Sequence, residues 1–369
     1  MPSTPRPDAP AVFAGPLRYL QGPGVLDRVG DEAARFAGRA LLIADVAVLA
    51  LIAERVLASC VAAGVECQVL SFNGEVTLEE IERLAQAGRG HQPGLVMAAG
   101  GGKGIDAGKG AAHRLDVPVL TIPTAASNDA PTSHIFVVYD NHHRISEVGH
   151  LRHNPVSVVV DSEIVARAPR QLMLAGIGDA FSKTFEVRQC RNQGGNNVHG
   201  GLGTRAALAL ADLSYQVLRD HALGALEAVD RGSPNPALEA VIEAAVLHSG
   251  LSFENGGLSI AHAMCRGLTG IRGAREAPHG LQVTYGLLVQ FVLEGRSEAF
   301  LNDILAFYRA TGLPSSLTRL GVTAPTITAQ ELARVAELSL AHGYAKNFES
   351  TVDTAALVNA IQTVESWAA

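Results

Sequence analysis

Residues Gly100–Tyr139 read GGGKGIDAGKGAAHRLDVPVLTIPTAASNDAPTSHIFVVY, and the fold turns on how this stretch is parsed. The preceding run GLVMAA, residues 94–99, is apolar and short enough for a buried strand. Gly100, Gly101, Gly102 and Gly104 then bring a backbone without β-carbons up to a helix start. Such a turn offers bare N–H groups and the positive end of a helix to a pyrophosphate. A P-loop fails on spacing, because counting back from Gly108-Lys109 puts Lys103 at the first glycine position and Gly110 where Ser or Thr should stand. The dinucleotide fingerprint is met loosely, by Gly100 and Gly102 with Ile105 in the third place, so the triplet alone also fits a plain tight turn.

The second half of the stretch adds weight to a ligand site. Val117 to Ile122 is apolar and β-branched, Pro123 stops it, and Thr124, Ser127, Asn128, Asp129, Thr132 and Ser133 follow. Hydroxyls and a carboxylate therefore gather beyond the carboxyl end of an expected parallel strand, where open α/β sheets bind ligands. An Asx or Ser/Thr turn that merely solvates a loop remains the alternative.

Outward from this stretch, short apolar runs alternate with amphipathic segments. ALLIA from Ala40 precedes a helix through Arg55 and Val61, ECQVLSF precedes TLEEIERLAQAG, and GLVMAA precedes the glycine helix. The pattern predicts a doubly wound parallel sheet. Asp45 ends the first of these strands, where it suits the ribose hydroxyls of a dinucleotide and equally the N-cap of the next helix. Thr77 and Glu80 fit a capping box. DNHHRISEVGHLRHNP, after Tyr139, reads as an irregular polar loop whose His142, His143, His150 and His153 are solvated, and VSVVVD at 156–161 reads as a last strand. Beyond Pro169 the texture becomes long Ala- and Leu-rich helices. A boundary is expected near Ala166 to Arg170, giving an α/β domain over 1–167 and an all-α domain over 168–369.

Composition narrows the class of partner. The chain has 369 residues, 47% hydrophobic and 18% charged, which suits folded domains with large cores. A net charge of −7 argues against nucleic acid and against anionic membrane. The Pro-rich start lacks the apolar segment of a signal peptide, and Asp45, Glu54 and Arg55 interrupt the longest apolar region, so a cytoplasmic chain without a membrane span is expected. Cys60, Cys67, Cys190 and Cys265 form no C-x-x-C pair, so neither a disulfide framework nor a Cys zinc site is expected.

Three stretches of the helical half carry chemistry. AGIGDAFSKTFEV places Asp179 after Gly176 and Gly178, FENGGLSIAHAMCRGLTG places His262 among small apolar residues, and EAPHGLQVTYG places His279 between Pro278 and Gly280. Two imidazoles and a carboxylate can hold a divalent metal and leave positions open for water or an alcohol. By spacing alone, buried hydrogen-bonded histidines and a capping aspartate are the favoured reading, since none of the three forms an H-x-x-x-H pair.

Taken together these motifs resemble the glycerol dehydrogenase branch of the iron-containing, group III alcohol dehydrogenase superfamily, from about Phe13 onward. GGGKGIDAGKGAA is similar to that family's GGGKxxDxAK, and PTAASNDAPTS to its PTxASTDAPxS, with LAGIGDA, FENGGLSIAHA, GLT and PHG following in order. The resemblance implies a nucleotide-binding amino-terminal domain and a helical metal-binding domain. It implies that Asp179, His262 and His279 ligate the metal, with zinc favoured over iron. It implies that Gly102, Lys103, Gly104 and Asp106 line the pyrophosphate and nicotinamide, and that Thr124, Ser127, Ser133, Ile135 and Tyr139 wrap the dinucleotide. Asp45 matches the ribose-binding carboxylate that selects NAD, and Asp129 the aspartate beside the polyol.

Departures from the family pattern are Cys265 and Leu281 beside the ligand motifs, and Asn128, His134 and Phe136 in the cofactor loop. The expected activity is NAD-dependent oxidation of glycerol or a similar small vicinal diol to dihydroxyacetone, by a homo-oligomer that family resemblance makes an octamer. The rivals are a same-fold reductase or lyase acting on an anionic substrate, such as a hydroxycarboxylate or glycerol phosphate dehydrogenase or a dehydroquinate synthase, and a non-catalytic nucleotide sensor. Near the ligand motifs the cations Lys183, Arg188, Arg266, Arg272 and Arg275 form no clear anion clamp.

Overall fold

The computed structural model describes residues 9–140, 145–323 and 327–367, so His142 and His143 lie outside the described residues. The chain divides into two compact units, one of Gly15–Pro169 with Glu227–Gly250, the other built chiefly from Arg170–Leu226 and the chain from Leu251 onward.

The first unit is organised by a six-stranded sheet. Its strands are β1 (Tyr19–Gly22), β2 (Arg39–Asp45), β3 (Glu66–Phe72), β4 (Leu95–Gly100), β5 (Val119–Pro123) and β8 (Ser157–Asp161), while β6 (Ile135–Tyr139) and β7 (Ile145–His150) form a separate antiparallel pair. The order is β1-β8-β5-β4-β2-β3, and every pairing in the large sheet is parallel. Strands β4, β5 and β8 are buried throughout, which is why they read as unbroken apolar runs.

Alternation across the sheet separates two cores. Leu42, Ala44, Met97 and Ala99 pack with Ile52 and Val56 of helix α2 (Val46–Ala62), which follows the short α1 (Val29–Ala34). Leu41, Ile43, Val96 and Ala98 pack with Ile81 and Leu84 of α3 (Leu78–Arg89) and with Ala107 and Ala111 of α4 (Gly102–Leu115). The chain steps from β2 outward to β3 and returns to the other side of β2 as β4. The order therefore reverses between β2 and β4, whose carboxyl ends are Asp45 and Gly100, and that reversal is where a doubly wound sheet opens to a ligand.

Three local expectations change. Thr77 caps α3 by accepting from Glu80 N–H, but the Glu80 carboxylate turns to Asn73 and Arg83, so the box is half made. The polar stretch after Tyr139 is not wholly irregular, since Ile145–His150 pairs with β6. His150 is not simply solvated, because its Nδ1 stands 3.2 Å from Nε2 of His134.

The first unit also holds the short α5 (Ser162–Ala166). The remaining helices are α6 (Arg170–Asn192), α7 (Arg205–Arg231), α8 (Pro236–Ile242), α9 (Ser249–Gly256), α10 (Ile260–Leu268), α11 (His279–Leu293), α12 (Glu298–Thr311), α13 (Ala329–Leu340) and α14 (Thr354–Ser366). In the second unit α6 is buried along nearly its whole length. Aromatic packing fixes it there: Phe181 stacks on Phe307 of α12 at 4.8 Å between ring centroids, and Phe185 meets Phe291 of α11 edge-on at 4.6 Å. A helix this buried should be apolar all round, yet it carries Asp179, Lys183 and Glu186 inside. The charges mark a site.

Candidate metal and dinucleotide site

In the first unit the glycine turn is built as a cradle. Gly100 has φ +131°, a backbone that side chains rarely adopt, and it turns the chain from β4 into α4. The amides of Gly102, Lys103 and Gly104 open α4 and have no intrahelical acceptor. Asp45 caps α2, its Oδ1 accepting from Val48 N–H at 2.9 Å. Its Oδ2 lies 4.0 Å from where a β-carbon on Gly100 would stand, so one carboxylate caps a helix and faces the turn.

The loop after β5 is anchored beside this turn. Thr124 N–H donates to Gly100 O at 3.1 Å, and Thr124 and Ser127 are buried. Asn128 accepts from Ala130 N–H at 3.1 Å, and Asp129 Oδ2 accepts from Ser249 Oγ at 3.2 Å. Lys109, fully buried on α4, donates to Ala130 O at 2.6 Å, Ile135 O at 2.8 Å and Ser133 Oγ at 3.3 Å. Asp106, three residues earlier, accepts from Val137 N–H at 3.2 Å, and burial pushes its carboxyl up to about 6. On β6, Ile135 and Tyr139 are half-buried and Phe136 is buried in the core, against which Tyr139 also packs. Lys103 pairs with Glu75 at 2.9 Å and stands 5.4 Å over the Tyr139 ring.

In the second unit α6, α10 and α11 bring three residues to one point. Ligand-type atoms of Asp179, His262 and His279 all lie within 4.8 Å of one another. The approach of α6 to α11 depends on Gly280, where a β-carbon would stand 1.9 Å from Ala175 O. His262 Nε2 is 3.2 Å from Asp179 Oδ1, close to the separation of about 3.4 Å between donors that share one zinc at bonding distance. Asp179 Oδ2 is buried without a hydrogen-bond partner, a costly state for a carboxylate oxygen that a metal would satisfy. Nitrogen and carboxylate donors without a thiolate suit zinc or iron(II), so the residues fit a divalent metal.

Electrostatics prepare the donors. Glu186 Oε2 stands 2.5 Å from His262 Nδ1, and its Oε1 accepts from the amides of Ser259 and His262 at the start of α10. Burial disfavours the Glu186 charge, but His262 and Lys183 more than offset it and hold the carboxyl below its ordinary value. An ionised Glu186 can only accept, so His262 Nδ1 carries the proton and Nε2 is the imidazole atom that can take a metal. Burial likewise opposes the Asp179 charge, and Lys183 with His262 overcomes it, leaving Asp179 ionised. His279 is the most exposed of the three; the protein around it lowers its value against the pull of Asp179, with help from His262 and Lys183. Cys265 stands outside the triad: its thiol donates to Ala261 O in its own helix, and burial pushes it well up.

The sequence reading missed Lys109 and Glu186 and did not place Lys183. Asp179, Lys183 and Glu186 are spaced i, i+4 and i+7 on α6, so their charges share one helix face, and that periodicity was the available signal.

A doubly wound sheet with a glycine turn at its reversal, joined to a helical unit holding a two-His, one-carboxylate cluster, defines a class of dinucleotide- and metal-using oxidoreductases. Residues 16–162 match the family of iron-containing alcohol dehydrogenases. The chain is 40% identical to glycerol dehydrogenase of Escherichia coli O6:H1 over 84% of this chain and 85% of that one, and 39% identical to glycolaldehyde reductase of Halobacterium salinarum over 85% and 86%. The crystal structure of glycerol dehydrogenase from Schizosaccharomyces pombe superposes with a TM-score of 0.93 at 31% identity, over 98% of this chain and 91% of that one. The chain belongs to the iron-containing alcohol dehydrogenase family. Among the described residues no helix is long and apolar enough to cross a membrane.

Proposed function

We propose that the protein oxidises glycerol, or a similar small vicinal diol, to dihydroxyacetone with NAD and one divalent metal. The observation that carries this reading is the triad of Asp179, His262 and His279 with its orphaned Asp179 oxygen, in a chain related to glycerol dehydrogenases. Gly15–Pro169 with Glu227–Gly250 supplies the dinucleotide domain and the other helices after Pro169 the metal domain. Asp179, His262 and His279 would hold the metal, which when bound polarises a substrate oxygen and favours its deprotonation. NAD accepts the hydride.

The chain's own residues divide the remaining work. Glu186 holds His262 with Nε2 presented. The first amides of α4 and Gly102, Lys103 and Gly104 receive the pyrophosphate, and Asp45 accepts ribose hydroxyls and repels a 2′-phosphate. Thr124, Ser127, Ser133, Ile135 and Tyr139 wrap the dinucleotide, Asp106 lines its nicotinamide side and Asp129 takes a polyol hydroxyl. Lys183 is committed to Asp179 and His262, which supports a neutral polyol over an anionic substrate.

The likeness to glycolaldehyde reductase favours a second direction, reduction of a small hydroxyaldehyde by the same site. Zinc is favoured over iron. The reading includes a cytoplasmic homo-oligomer, supported by four free cysteines and by the family. Purified protein loaded with zinc or iron(II) should reduce NAD with glycerol at alkaline pH. If glycerol, 1,2-propanediol and 1,2-butanediol all fail, the proposal is lost.

A further inference from the structure

We propose that Lys183 is a built-in competitor of the metal, an ammonium seated on the triad that neutralises the metal-free site and weakens its hold on a divalent cation. The inference rests on reading Asp179, His262 and His279 as metal ligands. Lys183 is fully buried. Its Nζ lies 2.5 Å from Asp179 Oδ1 and 3.1 Å from His262 Nε2, the imidazole atom left to ligate, and 5.7 Å from the Phe253 ring centre.

The chemistry of the imidazole forces a choice. Glu186 keeps the His262 proton on Nδ1, so Nε2 has one lone pair, which can accept from the Lys183 ammonium or bind a metal but not both. A dication must therefore displace the ammonium and then tolerate it nearby in a buried, weakly screened pocket. Without metal the balance reverses. Asp179 and Glu186 are two buried carboxylates, and Lys183 offsets part of their charge. Because Lys183 follows Asp179 by four residues on α6, it reaches the ligand face without bending the helix.

The test uses full-length protein stripped of metal by a chelator, with zinc affinity read by competition against a chromophoric chelator. Lys183→Met removes the charge, and Lys183→Gln removes it while keeping a hydrogen-bond donor. Both variants should bind zinc roughly tenfold or more tightly than the wild type, because a repelling cation is gone. Their metal-free forms should melt earlier. A lysine that merely supports the structure would weaken both properties when lost. Unchanged or weaker zinc binding by either folded variant overturns the inference alone. Zinc bound by neither wild type nor variants overturns the metal reading and the inference with it. Should both variants fail to fold, the crystal structure of zinc-loaded wild type decides: Nζ displaced from His262 Nε2 supports the proposal, and Nζ still hydrogen-bonded there with zinc on the triad overturns it.

Discussion

Asp45 accepts the Val48 amide and presents its second oxygen toward Gly100, so the cap and ribose readings of that residue are compatible and one substitution separates them. Asn caps as well as Asp but carries no charge. Asp45→Asn should leave stability within about 0.5 kcal/mol of wild type while weakening NAD binding by about 1.5–3 kcal/mol, the worth of a charge-assisted hydrogen bond. Calorimetric titration with NAD and NADP checks this, and undiminished NAD preference would leave Asp45 a cap only. Glu186 supports a second prediction at this scale. Glu186→Gln keeps an acceptor for the amides of α10 but no longer fixes the His262 proton on Nδ1, so zinc affinity should fall about 10–100-fold. Metal analysis after dialysis against a graded chelator reads that loss. Sequence motifs located the three ligand candidates because each sits in a short recognisable string. Glu186 has no such string: it is one acid seven residues beyond Asp179, and only folding of α10 onto α6 gives it His262 as a partner.

Helix α4 and the loop after β5 behave as one element because Lys109 and Asp106 on the helix hold the loop and β6 by backbone contacts. Lys109→Met removes the lysine donor from two part-buried carbonyls, at a cost of about 1–3 kcal/mol, and should raise KM for NAD more than it lowers kcat. Steady-state kinetics with the dinucleotide varied would show it, and a pure kcat effect would count against an anchoring role. Asp106 gives this element a pH dependence. Its carboxyl is raised from 3.8 to about 6 by burial, so the folded chain holds that proton more tightly than the unfolded chain does. The associated stability is complete below about pH 4 and is lost as pH rises through about 6. Asp106→Asn, which still accepts from Val137 N–H, should therefore exceed wild type at pH 8 by up to about 3 kcal/mol, with the gap closing toward pH 4. Urea unfolding at pH 4, 6 and 8 measures the gap, and one constant across pH would clear Asp106 of the ionisation cost. The central strands were legible because both faces are buried, making β4, β5 and β8 apolar runs. Strand β1 is four half-exposed residues, YLQG, and β7 exposes nearly all of ISEVGH, so neither carries a burial pattern. Pairing makes them strands, β1 with the distant β8 and β7 with its neighbour β6.

For the whole molecule, the proposed dinucleotide residues all fall in the sheet unit and the three ligand candidates all fall in the helical unit. The net charge and composition had already pointed to a small-molecule partner, and the change of texture beyond Pro169 to a boundary near Ala166 to Arg170. The segment Glu227–Gly250 belongs to the sheet unit although its sequence is as helical as its neighbours, and Ser249 meets Asp129 there. That exchange depends on contacts between distant stretches and leaves no compositional mark. Two ligands assigned to two units should stabilise the protein separately. A ligand at 100 times its Kd adds about 2.7 kcal/mol to the state that binds it, and for a unit of this size that raises the melting temperature by about 5–10 °C. Zinc added to chelator-stripped protein should produce such a shift in wild type and in Asp45→Asn, but not in Asp179→Asn or His279→Ala. NAD should produce its own shift in Asp179→Asn and His279→Ala, where turnover is abolished, because the lost ligand leaves the glycine turn and Asp45 untouched. Differential scanning calorimetry of the four proteins with each ligand completes the comparison. Loss of the NAD shift in His279→Ala would show that the two sites are not separable, and absence of any zinc shift in wild type would remove the metal from the triad.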